Sequence, residues 1–112
     1  MQIQDELNDD ILVVRPEGRL DSNTAPDFEQ YLLGKLEEQP RVVIDFTGVD
    51  YVSSAGLRVL LMGAKRVRQG QGRLALCGLQ DTIRQVFEIS GFLTILEVCD
   101  DCARAREQVG AA

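Results

Sequence analysis

Two adjacent serines, Ser53 and Ser54, are the side chains of this 112-residue sequence best placed to do chemistry. They stand at the predicted start of a helix, where a serine oxygen commonly caps the helix by accepting a hydrogen bond from a free backbone N–H. The same position suits a phosphate, which would meet the free N–H groups and the positive end of the helix. A phosphate would add about −1.5 to −2 charges at one point of the surface. The residue types leave both interpretations open, a cap or a modification site.

Asp21 stands in a similar position, between a predicted strand and the next predicted helix. Its ordinary role there is that of a turn or capping residue. If the two preceding strands are parallel neighbours, the loops of Asp21 and Ser54 emerge at one edge of the sheet, where open α/β sheets usually bind ligands and partners. At about 6 Å and an effective dielectric constant of about 20, each pair of unit charges would cost about 3 kcal/mol before screening. Attraction to the helix end returns only about 0.3–2 kcal/mol, so a phosphate could be held and still disturb a partner surface containing Asp21.

Cys99 and Cys102 have the Cys-x-x-Cys spacing of redox and metal sites. Two carboxylates lie between them, which raises the thiol pKa and opposes the activated thiolate that redox chemistry needs. A metal site would need further ligands, and without histidine only Cys77 remains. Three cysteines, an odd number in a chain expected to be intracellular, argue against a disulfide framework. We therefore expect no disulfide, no metal and no cofactor.

The composition excludes several functional classes. A net charge of −6 disfavours nucleic acid and anionic membrane surfaces as partners. No apolar run approaches the roughly 20 residues of a membrane span, and the acidic N-terminus lacks the features of a signal peptide, so we expect a cytoplasmic protein. The absence of histidine disfavours triad hydrolases and zinc enzymes, and Gly63 and Lys65 do not fit the spacing of a phosphate-binding loop. We expect a protein that is not an enzyme.

The hydrophobic pattern predicts one α/β domain over residues 1–112. Apolar runs predict strands over residues 2–7, 10–16, 41–46, 73–77 and 94–98. Apolar residues at helical spacing predict helices that begin near Thr24, Ser54, Thr82 and Asp100. The predicted order is ββαβαβαβα, which implies a mixed central sheet of about five strands with four helices. We expect the tail, residues 110–112, to fray.

Three motifs, in the same order, resemble those of one known family. Residues 45–57, DFTGVDYVSSAGL, resemble the signature of STAS domains, specifically of the stand-alone anti-sigma factor antagonists. Residues 18–25, GRLDSNTA, resemble that family's Gly-x-Leu-Asp loop, and residues 89–92, ISGF, resemble its late helix end. Together the motifs span nearly the whole chain, so the resemblance is specific and implies a STAS-like fold.

The resemblance implies a switch in partner binding. In that family the unphosphorylated protein binds an anti-sigma factor and frees the sigma factor. The anti-sigma factor is commonly a serine kinase that phosphorylates a serine at the start of the second helix, and a metal-dependent serine phosphatase resets the switch. Alignment places the acceptor at Ser54. Many family members have aspartate before the acceptor, whereas this chain has Ser53. Two hydroxyls therefore stand side by side, which makes Ser53 the alternative acceptor. The nucleotide and the catalytic groups would belong to the partners.

The resemblance also implies a partner-binding surface and leaves other functions open. That surface would comprise Asp21, Ser22, Asn23, Thr24, Ser53, Gly56, Leu57 and Arg58. We expect a monomer that binds the kinase and the phosphatase. One alternative is a constitutive STAS assembly subunit, for example of a lipid-transport system, which needs no phosphorylation. Another is a small thiol oxidoreductase that uses Cys99 and Cys102.

Overall fold

Six strands, four helices and one short 3₁₀ turn make up the computed structural model, which describes residues 1–110. The strands are β1 (Gln2–Asn8), β2 (Ile11–Leu20), β3 (Arg41–Asp45), β4 (Val49–Val52), β5 (Arg73–Cys77) and β6 (Glu97–Cys99). The helices are α1 (Ala25–Glu38), α2 (Ser54–Gln69), α3 (Asp81–Ile89) and α4 (Cys102–Gly110), with the 3₁₀ turn at Phe92–Thr94. Within this described part, no helix combines the length and the apolar character needed to cross a membrane.

The sheet is mixed and has the order β1-β2-β3-β5-β6. The antiparallel β1–β2 hairpin turns through Asp9 and Asp10, both with positive φ, as a two-residue hairpin turn requires. All other pairs are parallel. The carboxyl ends of β2 to β6 therefore meet at one edge, which we call the carboxyl edge.

Strand β2 has two partners along its length. Its first half, Leu12 to Val14, pairs with β3, and its last residues pair with β4. The register shifts between Gly18 and Arg19, where Gly18 has a φ of 105°. The N–H of Gly18 donates to the carbonyl of Gly48 at 2.9 Å, which fastens β2 to the turn before β4. One long strand thus carries both neighbours of the carboxyl edge.

Two separate apolar clusters lie on the two faces of the sheet, because alternate strand residues point to opposite faces. The larger cluster joins strand residues such as Val14 and Ile44 to the apolar sides of α1, α2 and α3. The smaller cluster joins Val13 and Val43 to residues of α4. We call these the three-helix face and the α4 face.

The predicted fold class, a mixed sheet with four helices, is confirmed, with two local differences. Residues Val49–Val52 form an additional strand, because Val49 and Val52 are buried and β2 supplies a partner distant in sequence. The last strand is Glu97–Cys99 rather than residues 94–98. Gly91, with a φ of 75°, and the hydroxyl of Thr94, which donates to its carbonyl at 2.7 Å, hold the preceding residues in the 3₁₀ turn. The tail that we expected to fray belongs to α4 at Gly110, and residues 111 and 112 lie outside the described part.

The expectation that no disulfide forms is wrong. Cys77 at the end of β5 and Cys102 at the start of α4 are joined by a disulfide across 25 residues of sequence. Strand order places the end of β5 beneath the start of α4, which neither the number nor the spacing of the cysteines reveals. The bond ties α4 to the sheet that it covers.

Candidate functional site

The backbone and the side chain of Ser53 are both committed to the start of α2. Its extended conformation, with φ −88° and ψ 176°, makes it the N-cap residue, and its hydroxyl oxygen accepts a hydrogen bond from the N–H of Gly56 at 3.4 Å. Its own N–H donates to the carbonyl of Leu20 at 2.9 Å. Ser53 therefore caps α2, a role that the sequence alone could not assign to one of the two serines.

Ser54 is the first residue of α2 and is exposed. Among the side-chain hydrogen bonds within residues 1–110, Ser53 makes the cap and the Ser54 hydroxyl makes none. The first N–H groups of a helix have no partner within the helix and attract anions. The Ser54 hydroxyl is thus exposed, without a side-chain hydrogen bond, at the positive end of a 16-residue helix.

Gly56 lets α2 rest directly on the end of β2. A Cβ atom at this position would lie 2.7 Å from the Leu20 Cγ and 2.8 Å from the Leu20 carbonyl oxygen. Both distances are too short for a side chain, so only glycine permits this approach. The close contact fixes Ser53 and Ser54 relative to the residue that precedes Asp21.

The Asp21 loop is held by its own hydrogen bonds. The Asp21 Oδ1 accepts from the N–H groups of Asn23 at 2.9 Å and Thr24 at 3.2 Å. The hydrogen bond from the Asn23 N–H is the largest cause of a lowered Asp21 pKa, so the carboxylate stays charged at neutral pH. Thr24 is the N-cap residue of α1, but its side chain makes no cap hydrogen bond. Its hydroxyl donates instead to the carbonyl of Arg19 at 2.7 Å.

The structure brings the two loops together at the carboxyl edge. Leu20 and Val52 are direct partners in the parallel β2–β4 pair. Asp21 and Ser53 follow these partners immediately, so the acidic loop and the serine pair leave the sheet side by side. The sequence predicted that the loops meet at one edge if the strands before them were parallel neighbours, and the strand that fulfils this condition is β4, which the sequence did not predict.

Two further exposed residues, Arg19 and Tyr51, lie next to this site and were not predicted from the sequence. They are partners across β2 and β4, and the guanidinium carbon of Arg19 lies 4.1 Å from the centre of the Tyr51 ring. The Arg19 Nε also lies 3.5 Å from the Asp21 Oδ2. The exposed tyrosine between buried Val49 and Val52 is the sequence signal that would have found them, once residues 49–52 are recognised as a strand.

The other predicted partner-binding residues differ in exposure. Ser22 and Arg58 line a shallow groove of about 340 Å³ between α1 and α2, with Glu29 on its α1 side. Gly56 and Leu57 are buried. In this conformation these two residues hold the loops in place rather than offer a surface to a partner.

A second cluster, farther along the carboxyl edge, consists of Asp45, Cys77 and Cys102 at the ends of β3 and β5 and the start of α4. A carboxylate oxygen of Asp45 and the sulfurs of Cys77 and Cys102 all lie within 4.8 Å of one another. Metal ions bind cysteine as the thiolate, and these two sulfurs are joined in the disulfide. The Asp45 Oδ1 already accepts hydrogen bonds from the N–H and the hydroxyl of Thr47. The donor set in this form does not fit zinc.

The thiol oxidoreductase alternative loses its pair of thiols, since Cys102 is bonded to Cys77 and Cys99 alone is free. Burial raises the pKa of the Cys99 thiol, and nearby carboxylates raise it further. A thiol that is mostly protonated at neutral pH is a weak nucleophile. In this form, therefore, Cys99 and Cys102 are not a free dithiol pair of the thioredoxin kind.

Comparison with known proteins decides the family. The sequence model of the family described as "STAS domain" matches residues 2–105 of this chain. The chain belongs to the STAS domain family. The resemblance carried by the three sequence motifs is confirmed, and the serine pair, the Asp21 loop and Gly56 all lie within the matched residues.

Relatives of this STAS domain include proteins named for one activity. BtrV of Bordetella bronchiseptica, provisionally named an anti-sigma factor antagonist, is 42% identical over 113 residues, which cover 100% of this chain and 94% of BtrV. The anti-sigma-B factor antagonist of Listeria monocytogenes is 38% identical over 82 residues, which cover 72% of each chain. The match to BtrV extends from end to end, so this STAS domain corresponds to nearly all of that relative.

Solved structures share the fold. SpoIIAA, an anti-sigma factor antagonist, has been solved in its unphosphorylated form, which matches with a TM-score of 0.75 at 18% identity over 99% of this chain and 100% of that one. The phosphorylated form of SpoIIAA, from Bacillus, matches with a TM-score of 0.72 at 20% identity over 96% of this chain and 99% of that one. At this identity the likeness establishes the architecture of the STAS domain.

Proposed function

We propose that this STAS domain is an anti-sigma factor antagonist that acts by reversible binding and is switched by phosphorylation of Ser54. The observation that carries the proposal is the free, exposed hydroxyl of Ser54 at the first position of α2, beside the Asp21 loop. The names of the relatives support the class of partner, an anti-sigma factor. The protein itself contributes a surface rather than a catalytic centre.

The choice of Ser54 over Ser53 follows from their hydrogen bonds. The Ser53 oxygen is the acceptor of the α2 cap, and loss of such a cap typically costs about 1 kcal/mol. Modification of Ser53 would therefore act directly on the oxygen that caps α2. Ser54 can accept a phosphate while the cap at Ser53 stays intact.

The phosphate would change the surface and leave the fold in place. The free N–H groups at the start of α2 and the helix dipole favour an anion there. The neighbouring Asp21 is already negative, and Arg19 is engaged with both Asp21 and Tyr51. An added charge of about −1.5 to −2 would make this surface strongly acidic. A partner suited to one carboxylate and two neutral hydroxyls would then be repelled.

The partner that reads this surface would be an anti-sigma factor with serine kinase activity, and a metal-dependent serine phosphatase would remove the phosphate. ATP, the metal ion and the catalytic groups would belong to these two enzymes. The groove between α1 and α2, with Arg58 and Glu29 on its two sides, extends the surface that the partner would contact.

The experiment incubates the protein with its kinase and ATP and locates the phosphate by mass spectrometry. We expect phosphate on Ser54 in the wild type and in Ser53→Ala, and none in Ser54→Ala. Phosphate on Ser53 alone, or on neither serine, would sink the proposal.

A titration against the anti-sigma factor tests the consequence of the modification. Ser54→Ala should bind as the unmodified wild type does, and Ser54→Asp should bind more weakly. Equal affinities for the phosphorylated and unphosphorylated wild type would instead favour a constitutive assembly subunit.

A further inference from the structure

Three cysteines from three separate elements converge at the carboxyl edge. Cys77 ends β5, Cys99 ends β6 and Cys102 begins α4. Cys77 and Cys102 are bonded, and Cys99 is the direct register partner of Cys77 in the β5–β6 pair. Cys99 and Cys102 both pack, partly buried, against the cluster of the α4 face. The residue that carries the free thiol is therefore the neighbour, across the β5–β6 pair, of one residue of the disulfide.

The three sulfurs differ in access. Cys77 is completely buried, whereas Cys99 and Cys102 are partly exposed. A reductant from solution reaches an exposed sulfur more readily than a buried one. Cys99 and Cys102 are also separated by only two residues, the spacing at which adjacent thiols commonly bond to each other. The free thiol is thus placed to move the bond towards solvent.

We propose that Cys77, Cys99 and Cys102 form a thiol–disulfide exchange site in which Cys99 is the attacking thiol. The Cys99 thiolate attacks the Sγ of Cys102, a Cys99–Cys102 bond forms and the Cys77–Cys102 bond breaks. The electron pair of the broken bond leaves with the Cys77 sulfur, which takes a proton from water. One disulfide is exchanged for another, so the step needs neither an oxidant nor a reductant.

The surroundings keep the Cys77–Cys102 bond as the resting form. The leaving Cys77 sulfur is buried and lies within 4.8 Å of a carboxylate oxygen of Asp45, and burial and negative charge both disfavour a thiolate. Cys77 is therefore a poor leaving group and the exchange is slow, so the Cys77–Cys102 bond persists as the resting form. In the rearranged form both bonded sulfurs are partly exposed, so that form gives a dithiol reductant its route to the bond.

The charges around Cys99 make the exchange depend on pH. Burial and neighbouring carboxylates raise the pKa of the Cys99 thiol. The carboxylates around it are those of Glu97, Asp100 and Asp101, and Arg104 from α4 acts in the opposite direction by lowering the pKa. The Nη2 of Arg84 from α3 lies 3.6 Å from the Asp100 Oδ1. Below its pKa the thiolate fraction rises about tenfold per pH unit, so the exchange rate should rise by the same factor.

Peptide mapping of the full chain separates the two pairings. Trypsin releases Cys77 in residues 74–84, and both Cys99 and Cys102 in residues 85–104. In the resting form the two peptides are joined. After exchange, with free thiols blocked by N-ethylmaleimide in acid, residues 74–84 carry the label and residues 85–104 hold an internal disulfide. We expect this second pattern to appear in protein incubated without reductant. The rate at which it appears should be about tenfold higher at pH 8 than at pH 7.

Reduction by dithiothreitol gives the second readout, with Cys99→Ser and Cys99→Ala as matched variants. Both retain the Cys77–Cys102 bond and lack the attacking thiol, so we expect both to be reduced several-fold more slowly than the wild type. The proposal is overturned if the peptides stay joined at every pH with Cys99 labelled, if a Cys77–Cys99 bond forms instead, or if all three proteins are reduced at the same rate. No kinase is needed, so these outcomes are independent of the proposed function at Ser54.

Discussion

On the three-helix face of the sheet, the core contains three phenylalanines and a broad set of aliphatic side chains, packed beneath α1, α2 and α3. On the α4 face the core is smaller, and the single nine-residue helix contributes Ala105 and Val109 to it, with the disulfide at its start. One face is held by packing, and the other by a small contact and a covalent bond. Ser54 begins α2 and Ser53 caps it, so the better packed face holds both serines in position.

This difference indicates that the surface around Ser54 and the contact between α4 and the sheet can each change without destabilising the other. A phosphate on Ser54 would alter charge outside a core that is already complete, so the fold need not respond. A change at the disulfide would act on the weaker contact between α4 and the sheet. The three predictions below test this division, from the largest expected effect to the smallest.

Breaking the three-helix face should have the largest effect. Phe87 of α3 is completely buried, and Phe87→Ala should lower the free energy of unfolding by about 3–5 kcal/mol, because a large cavity is left. Ile89 of the same helix is 87% exposed, so Ile89→Ala is the matched control and should change it by less than about 0.5 kcal/mol. Urea denaturation measures both, and similar losses in the two variants would contradict the assignment of this face as the main core.

Removing the disulfide tests the α4 face. Cys102→Ala opens a loop closed across 25 residues of sequence, and we expect a loss of about 3 kcal/mol from the greater freedom of the unfolded chain. Hydrogen exchange should accelerate most in α4 and least in α2, since α4 has the smaller buried contact. Cys99→Ala retains the bond and serves as the control. Uniform acceleration across both helices would show that the two faces are not held separately.

The contact between α2 and β2 should give the smallest of the three effects. Gly56→Ala places a Cβ 2.7 Å from Leu20 and should cost about 1–3 kcal/mol by overpacking. Gly34→Ala, at an exposed position of α1, is the matched control. Nothing lies within 4 Å of its added Cβ, so it should stabilise the protein by up to about 1 kcal/mol. Thermal denaturation compares them, and a stabilising Gly56→Ala would show that the loops have room to separate.

The sequence predicted those features that depend on local pattern. The continuous apolar run at β3, the helical spacing of α2 and the serines at its start all follow from neighbours a few residues apart. The position of Asp21 beside Ser53 needed one further assumption, that β2 and the strand before α2 run parallel, and the structure supplies it. Which serine caps α2 required the hydrogen bond to Gly56, which no pattern of residue types contains.

The features that sequence missed depend on partners distant along the chain. The four residues of β4 form a strand because the end of β2, about 30 positions earlier, lies beside them. Arg19 and Tyr51 meet only through that pairing. The Cys77–Cys102 bond requires the order of β5, β6 and α4 in space, and an expectation drawn from cysteine number and compartment could not replace that information.

The tight turn at Asp9 and Asp10 lies at the opposite end of β2 from Leu20 and the carboxyl edge. Both residues are exposed, and their positive φ angles already set them apart from the regular strands on either side. Exposed loop tips of this kind tolerate inserted sequence well. A peptide epitope or a small fluorescent reporter placed there would be carried by the long strand yet stay a full strand length from the serine pair. The hairpin thus gives this protein a built-in attachment point for following its binding partners in living cells.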